Sequence, residues 1–175
     1  MDVIVHRDKD IWRAHMGARA WRCAVGKGGI RAQKREGDGA TPVGCFALRR
    51  VLYRSDRLAR PETVLTTAPL DPGDGWCDEP ADPAYNTPVR LPYGASCEAL
   101  WREDGIYDVI VVLGHNDDPP VPGRGSAIFL HVAKADYAHT QGCVALALPD
   151  LLELLRAADG ATRLCVEARH PGAAS

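Results

Sequence analysis

The stretch Tyr107-Asp-Val-Ile-Val-Val-Leu113 constrains this chain more than any other. It is β-branched almost without interruption and is closed at its ends by Gly105 and Gly114, so it reads as a strand buried on both faces. Other strands are available to flank it. Val3 to His6, Arg19 to Val25 and Cys45 to Tyr53 are short, β-prone and partly alternating, and read as the opening strands of an antiparallel sheet. Ala127 to Val132 and Thr162 to Glu167 add two more. One helix stands out, because Leu151, Leu154, Leu155 and Ala158 recur at i, i+3, i+4 and i+7, with Pro149 in the first turn and Gly160 at the stop. Ser96 to Trp101 suggests a shorter helix with Ser96 as its N-cap. The expected fold is mainly β, a β-rich α+β domain with the amphipathic helix packed on the sheet.

The 175 residues suit one domain, residues 1–175, with a tail from His170. Lys+Arg 21 against Asp+Glu 23 leaves a formal charge of −2, which gives no electrostatic case for nucleic acid or an anionic membrane. No apolar run reaches the length of a membrane span. Met1 to Asp8 has neither a basic n-region with a long apolar core nor a cleavage site, so no secretory signal is visible there. The six cysteines form no C-x-x-C pair and no His/Cys spacing suited to zinc. Cys23, Cys45 and Cys165 lie in apolar runs and read as small buried hydrophobes.

Cys143 is different. The run Ser126-Ala-Ile-Phe-Leu-His131 ends at an imidazole, and twelve residues later Cys143 follows Gly142 and precedes a second apolar run. A cysteine nucleophile acts as its thiolate, and a nearby imidazole takes the thiol proton and later returns it to a leaving amine. Gly142 lets a carbonyl approach the backbone, where N–H groups stabilise an oxyanion. Val132 follows His131 and offers only its backbone, so a carbonyl is the expected partner of the ring's other nitrogen. His139 and His115 are rival bases.

His131 together with Thr140-Gln141-Gly142-Cys143 resembles the signature of the L,D-transpeptidase (YkuD-type) family, and Thr41-Pro42-Val43-Gly44 matches a second, weaker family turn. The resemblance spans roughly Ala20 to Val166. It implies a β-sandwich or barrel in which Cys143 is the nucleophile and His131 the base, acting without a metal or organic cofactor on peptidoglycan stem peptides in the periplasm or cell envelope, with carbapenem-type compounds as acylating inhibitors. Many members have His before the Gly-Cys and Arg two residues after the Cys, whereas this chain has Gln141 and Ala145. A subgroup with Ala at that place resembles enzymes that join stems through L-Ala and diaminopimelate. Hydrolysis of the same thioester, as an L,D-carboxypeptidase or amidase, and a non-catalytic cell-wall binding module are the alternatives.

The remaining candidates are substrate contacts. Thr140 braces the turn or meets substrate, and Gln141, His139 and Ala145 sit beside the thiol in sequence. Arg124 suits a stem carboxylate, or a structural ion pair. Residues 61–92 are rich in Pro, Asp and Gly, and Trp76 and Tyr85 within them read either as a binding rim or as anchors that pin the loop to the core. With His115 and Asn116 this loop is the expected wall that selects the stem peptide. Gly26 to Gly39 is glycine-rich and basic, but lacks the phosphate-loop order, and reads as a mobile hairpin or substrate-facing loop.

Overall fold

A computed structural model describes residues 1–168; the tail expected from His170 lies outside them. The chain opens with β1 (Val3–Asp8), β2 (Ile11–Met16) and β3 (Arg19–Ala24), paired antiparallel through two-residue turns. Each turn begins with a residue of positive φ, Lys9 at 53° and Gly17 at 59°. The middle strand is not among the strands expected from sequence, although Trp12-Arg13-Ala14-His15-Met16 alternates apolar with polar residues; Ala14 and Met16 point into the core.

Two short strands, β4 (Ile30–Arg31) and β5 (Thr41–Pro42), pair in parallel beside β6 (Gly44–Tyr53). Then come β7 (Thr67–Pro69), β8 (Asp74–Cys77), β9 (Pro88–Arg90), β10 (Cys97–Ala99), β11 (Val109–Leu113), β12 (Phe129–Val132), β13 (Val144–Leu146), α1 (Leu148–Ala157) and β14 (Arg163–Val166). The large sheet runs β11-β12-β13-β3-β2-β1-β14-β6-β7, and β6 also pairs with β11. Residues 44–47 of β6 hold β14 while residues 48–53 hold β11, so eight strands close into a barrel. The mainly β fold with one packed helix is the architecture expected.

The barrel interior holds Val3, Val5, Val109, Val111 and Leu130, and Leu151, Leu154 and Leu155 of α1 join it. Each fully buried leucine of that stripe stabilises the fold by roughly 1.5–3 kcal/mol. The helix stops at Ala157, short of Gly160, with Ala158 extended and its N–H bonded to the Leu154 carbonyl.

Strand β11 is buried on both faces, as its composition requires. Val109, Val111 and Leu113 face the barrel; Ile110 and Val112 turn outward into a second apolar cluster with Phe129, Leu70, Trp76, Leu100 and Tyr107. That cluster lies under the segment carrying a small sheet, β10-β8-β9. Ser96 to Trp101 therefore contributes a strand and not the short helix expected. Six residues barely nucleate a helix, whereas the edge of β8 satisfies their backbone at once. Cys45 and Cys165 are not lone buried hydrophobes either: they sit opposite each other on β6 and β14 and are joined in a disulfide, with Cys45 exposed.

Candidate active site

Strand periodicity places the two leading residues together. Phe129 and His131 point to the outer face of β12, the face covered by the capping segment. Parallel pairing sets Leu130 opposite Val144 and His131 opposite Ala145, so Cys143 stands one step before the strand, level with Phe129. The Phe129 N–H donates to Cys143 Sγ (3.4 Å), and Sγ donates to the Ala127 carbonyl (3.2 Å). Cys143 and His131 line one cavity of about 450 Å³.

Both groups are nearly sealed, Cys143 at 6% and His131 at 5% exposure. Burial, aided by the nearby Glu98 charge, pushes the Cys143 thiol up to about 12, against the opposing pull of the Phe129 N–H. Burial likewise pushes His131 down to about 4, although its bond to the Val132 carbonyl works the other way. The resting pair is thus neutral thiol and neutral imidazole. The ring's Nδ1 lies 2.9 Å from the Val132 carbonyl, which can only accept; the proton is therefore on Nδ1, and Nε2 keeps its lone pair.

The turn before Cys143 is braced from several directions. Thr140 Oγ1 donates to the Cys143 carbonyl (2.6 Å) and accepts from the Gly142 N–H (3.1 Å), while the Thr140 backbone bridges Val25 and Lys27. Gly142 has φ +135°, and a Cβ there would stand 2.9 Å from the Ala40 carbonyl. The space over Gly142 thus belongs to the chain itself, not to an approaching carbonyl, and its N–H is already committed to Thr140.

His139, Thr140, Gln141 and Ala145 line the cavity, His139 and Gln141 being exposed and Ala145 fully buried. Trp76, Tyr85, His115, Asn116 and Arg124 do not. Trp76 is 5% exposed, packs edge-on against Phe129 at 5.1 Å and donates Nε1 to Asn86 Oδ1 (2.9 Å). Tyr85 is 3% exposed; its hydroxyl donates to Glu36 and accepts from the Gly125 N–H. Both aromatics pin the loop to the core, so the rim reading is corrected. His115, Asn116 and Arg124 border a separate depression, where the His115 ring bonds the Arg124 carbonyl and Asn116 ties down Val121 and Gly125.

The sequence reading missed several cavity residues. Tyr107, previously only part of a strand, turns its ring edge-on to His131 at 5.2 Å and donates its hydroxyl to Glu98. Burial raises the Glu98 carboxyl and, with the Cys143 and Glu98 charges, raises the Tyr107 phenol. Glu36, Asp78, Lys34, Arg102 and Lys134 add both signs of charge. Apart from Lys134, which follows β12, these residues come from the 26–39 segment, the end of β8, strand β10 and the approach to β11, so no local pattern links them to Cys143. The 26–39 segment does face the cavity, but it is anchored: Gly26 bridges Thr140, and the N–H groups of Gly26, Lys27, Gly28 and Gly29 all bond within the chain. No N–H of that run is left to cradle a phosphate. Among the described residues no His/Cys/Asp/Glu cluster is arranged to hold a metal.

Compared with protein families, residues 2–166 match the model of the L,D-transpeptidase catalytic domain, YkuD. The chain belongs to that family. The YkuD family is one of cysteine-dependent enzymes, and membership implies peptidoglycan as the substrate class and the cell envelope as its setting. No curated protein matches the chain. No helix among the described residues is long and apolar enough to cross a membrane.

Proposed function

We propose that this YkuD domain is a peptidoglycan L,D-transpeptidase with Cys143 as nucleophile and His131 as general base. Sγ attacks the carbonyl of an L-centre in a stem peptide while His131 Nε2 takes the thiol proton. The tetrahedral oxyanion collapses to a thioester, and the following D-residue leaves with the proton returned by His131. An amine of a second stem then attacks the thioester, which transfers the acyl group and frees the thiol. Because the Gly142 N–H is bonded to Thr140, the proposed oxyanion donor is the backbone N–H of Cys143.

The observation that carries this reading is the shared cavity: one thiol and one imidazole with a free Nε2 lone pair, adjacent in register on one sheet face. The mixed charge of its walls suits a stem bearing both carboxylate and ammonium groups. Ala145 leaves the buried floor without a cation, which favours a donor other than the usual one; we assign the linkage to L-Ala and diaminopimelate. The Cys45–Cys165 disulfide supports an oxidising compartment such as the periplasm.

Intact mass after incubation with a carbapenem, and with disaccharide stem peptides, tests the assignment. Wild type should gain one acyl adduct and yield cross-linked product, and Cys143→Ser should do neither while keeping its circular dichroism. Product that has only lost the D-residue would assign hydrolysis, and absence of any adduct would assign binding alone.

A further inference from the structure

Cys77 and Cys97 are unbonded in the structure, yet they stand directly opposite each other on β8 and β10. Ladder bonds fix their relation. The Asp78 N–H donates to the Ser96 carbonyl (3.1 Å) and the Leu100 N–H to the Asp74 carbonyl (3.0 Å). With hydrogen-bonded pairs at 78–96 and 74–100, the alternation makes 77–97 a non-hydrogen-bonded pair, whose Cα atoms approach to about 4.5 Å. Disulfides span Cα separations of about 4.4–6.8 Å. Burial raises the Cys97 thiol, and the neighbouring Cys77 sulfur, through its charge and hydrogen bonding, raises it further.

The chain already joins one such directly opposed pair, Cys45 and Cys165. One residue beyond each member of the second pair, Asp78 and Glu98 face the other way, into the cavity. We propose that Cys77 and Cys97 form a second cross-strand disulfide, which locks the cavity wall that bears Asp78 and Glu98.

Cys97 is partly exposed and Cys77 fully buried, which sets the order of events. The Cys97 thiolate attacks a disulfide such as oxidised glutathione, breaking its S–S bond and expelling one thiolate. Cys77 loses its proton and attacks the Cys97 sulfur of the mixed disulfide, expelling the second. The protein pair gives up two electrons and two protons, and the donor disulfide becomes two thiols. Cys23 and Cys143, both pushed up to about 12 by burial, hold little thiolate and stay reduced.

The test uses the full chain carrying Cys45→Ser and Cys165→Ser, equilibrated with reduced or oxidised glutathione, then denatured, alkylated and peptide-mapped. The oxidised sample should contain one cross-linked peptide pairing Cys77 with Cys97, and only Cys23 and Cys143 should be alkylated. Its Tm should exceed that of the reduced sample by roughly 6–12 °C, the effect of closing a loop of about 20 residues, and Cys97→Ser should remove the difference. Wild-type protein gives the same answer if the double variant folds poorly: two alkylated cysteines after oxidation support the bridge. Four alkylated cysteines in oxidised, folded wild type overturn it. Neither readout depends on transpeptidase activity.

Discussion

Acid should destabilise this protein through His131, by an amount the structure fixes. The unfolded chain protonates the residue near its ordinary 6.5, whereas burial lowers the folded value to about 4. Between those limits the unfolded state binds a proton that the folded state does not. Because the folded pKa is depressed, the contribution is fully present above pH 6.5 and is lost as pH falls toward 4. At about 1.36 kcal/mol per pH unit the total loss is roughly 3 kcal/mol. His131→Asn removes the titration but retains an amide able to donate to the Val132 carbonyl. Urea unfolding from about pH 7.5 to about pH 4.5 should show the wild-type curve falling more steeply than the variant's by one proton's slope. Glu98, whose raised carboxyl acts in the opposite direction, is present in both proteins and cancels in the difference. Equal slopes would show that His131 titrates normally, and the neutral resting pair would have to be abandoned.

Two further outcomes follow from packing. Trp76→Ala should cost about 3–5 kcal/mol in urea unfolding, with the KM for stem peptide unchanged in the folded fraction; a KM effect without loss of stability would restore the rim reading. Gly142→Ala forces a Cβ to within 2.9 Å of the Ala40 carbonyl and should slow single-turnover acylation by ~10²-fold through displacement of Cys143, so wild-type acylation would refute the tight brace.

Local pattern carried the elements whose burial follows a simple period. The α1 stripe at 151, 154 and 155 and the β-branched run of β11 both keep one chemistry per face, so their packing is written in neighbouring residues. β2 alternates Trp12, Ala14 and Met16 with Arg13 and His15, but Trp12, Arg13 and His15 are all half-buried, so the burial of its faces does not follow that alternation cleanly. Spacing drew attention to Cys143 and His131, because the two elements that hold them are adjacent in the chain, and the family resemblance set His131 ahead of His139 and His115. Tyr107, Glu98 and Asp78 reach the cavity only through the folding of the capping segment onto the sheet. Trp76 and Tyr85 were ambiguous for a chemical reason: an aromatic body with one polar handle suits a wet rim as well as a core that supplies a partner for the handle, and here Asn86 and Glu36 supply it. The Cys45–Cys165 bridge was hidden because pairing of β6 with β14 joins residues 120 apart in sequence.

That same capping segment takes a different part in the proposed chemistry from the one its composition suggests. The thiol proton points at the Ala127 carbonyl, and Ala127 holds φ +52°, a left-handed conformation that costs an alanine about 1–2 kcal/mol. Asn86 offsets that cost. Its Oδ1 accepts the Ala127 N–H (3.0 Å) and the Trp76 indole, and its Nδ2 donates to the His115 and Asn116 carbonyls. Residues 61–92 and the His115 loop therefore meet at a buried amide that aims the acceptor of the nucleophile's proton. On the proposed mechanism, the thiol must leave Ala127 before Nε2 can take its proton, and burial of both groups disfavours a separated charged pair. The substrate carbonyl is the electrophile that consumes the thiolate as it forms. On this mechanism Asn86 acts on the reaction through the backbone of Ala127, while Asp78 and Glu98 of the same cap line the cavity together with the charged residues at 34, 36, 102 and 134.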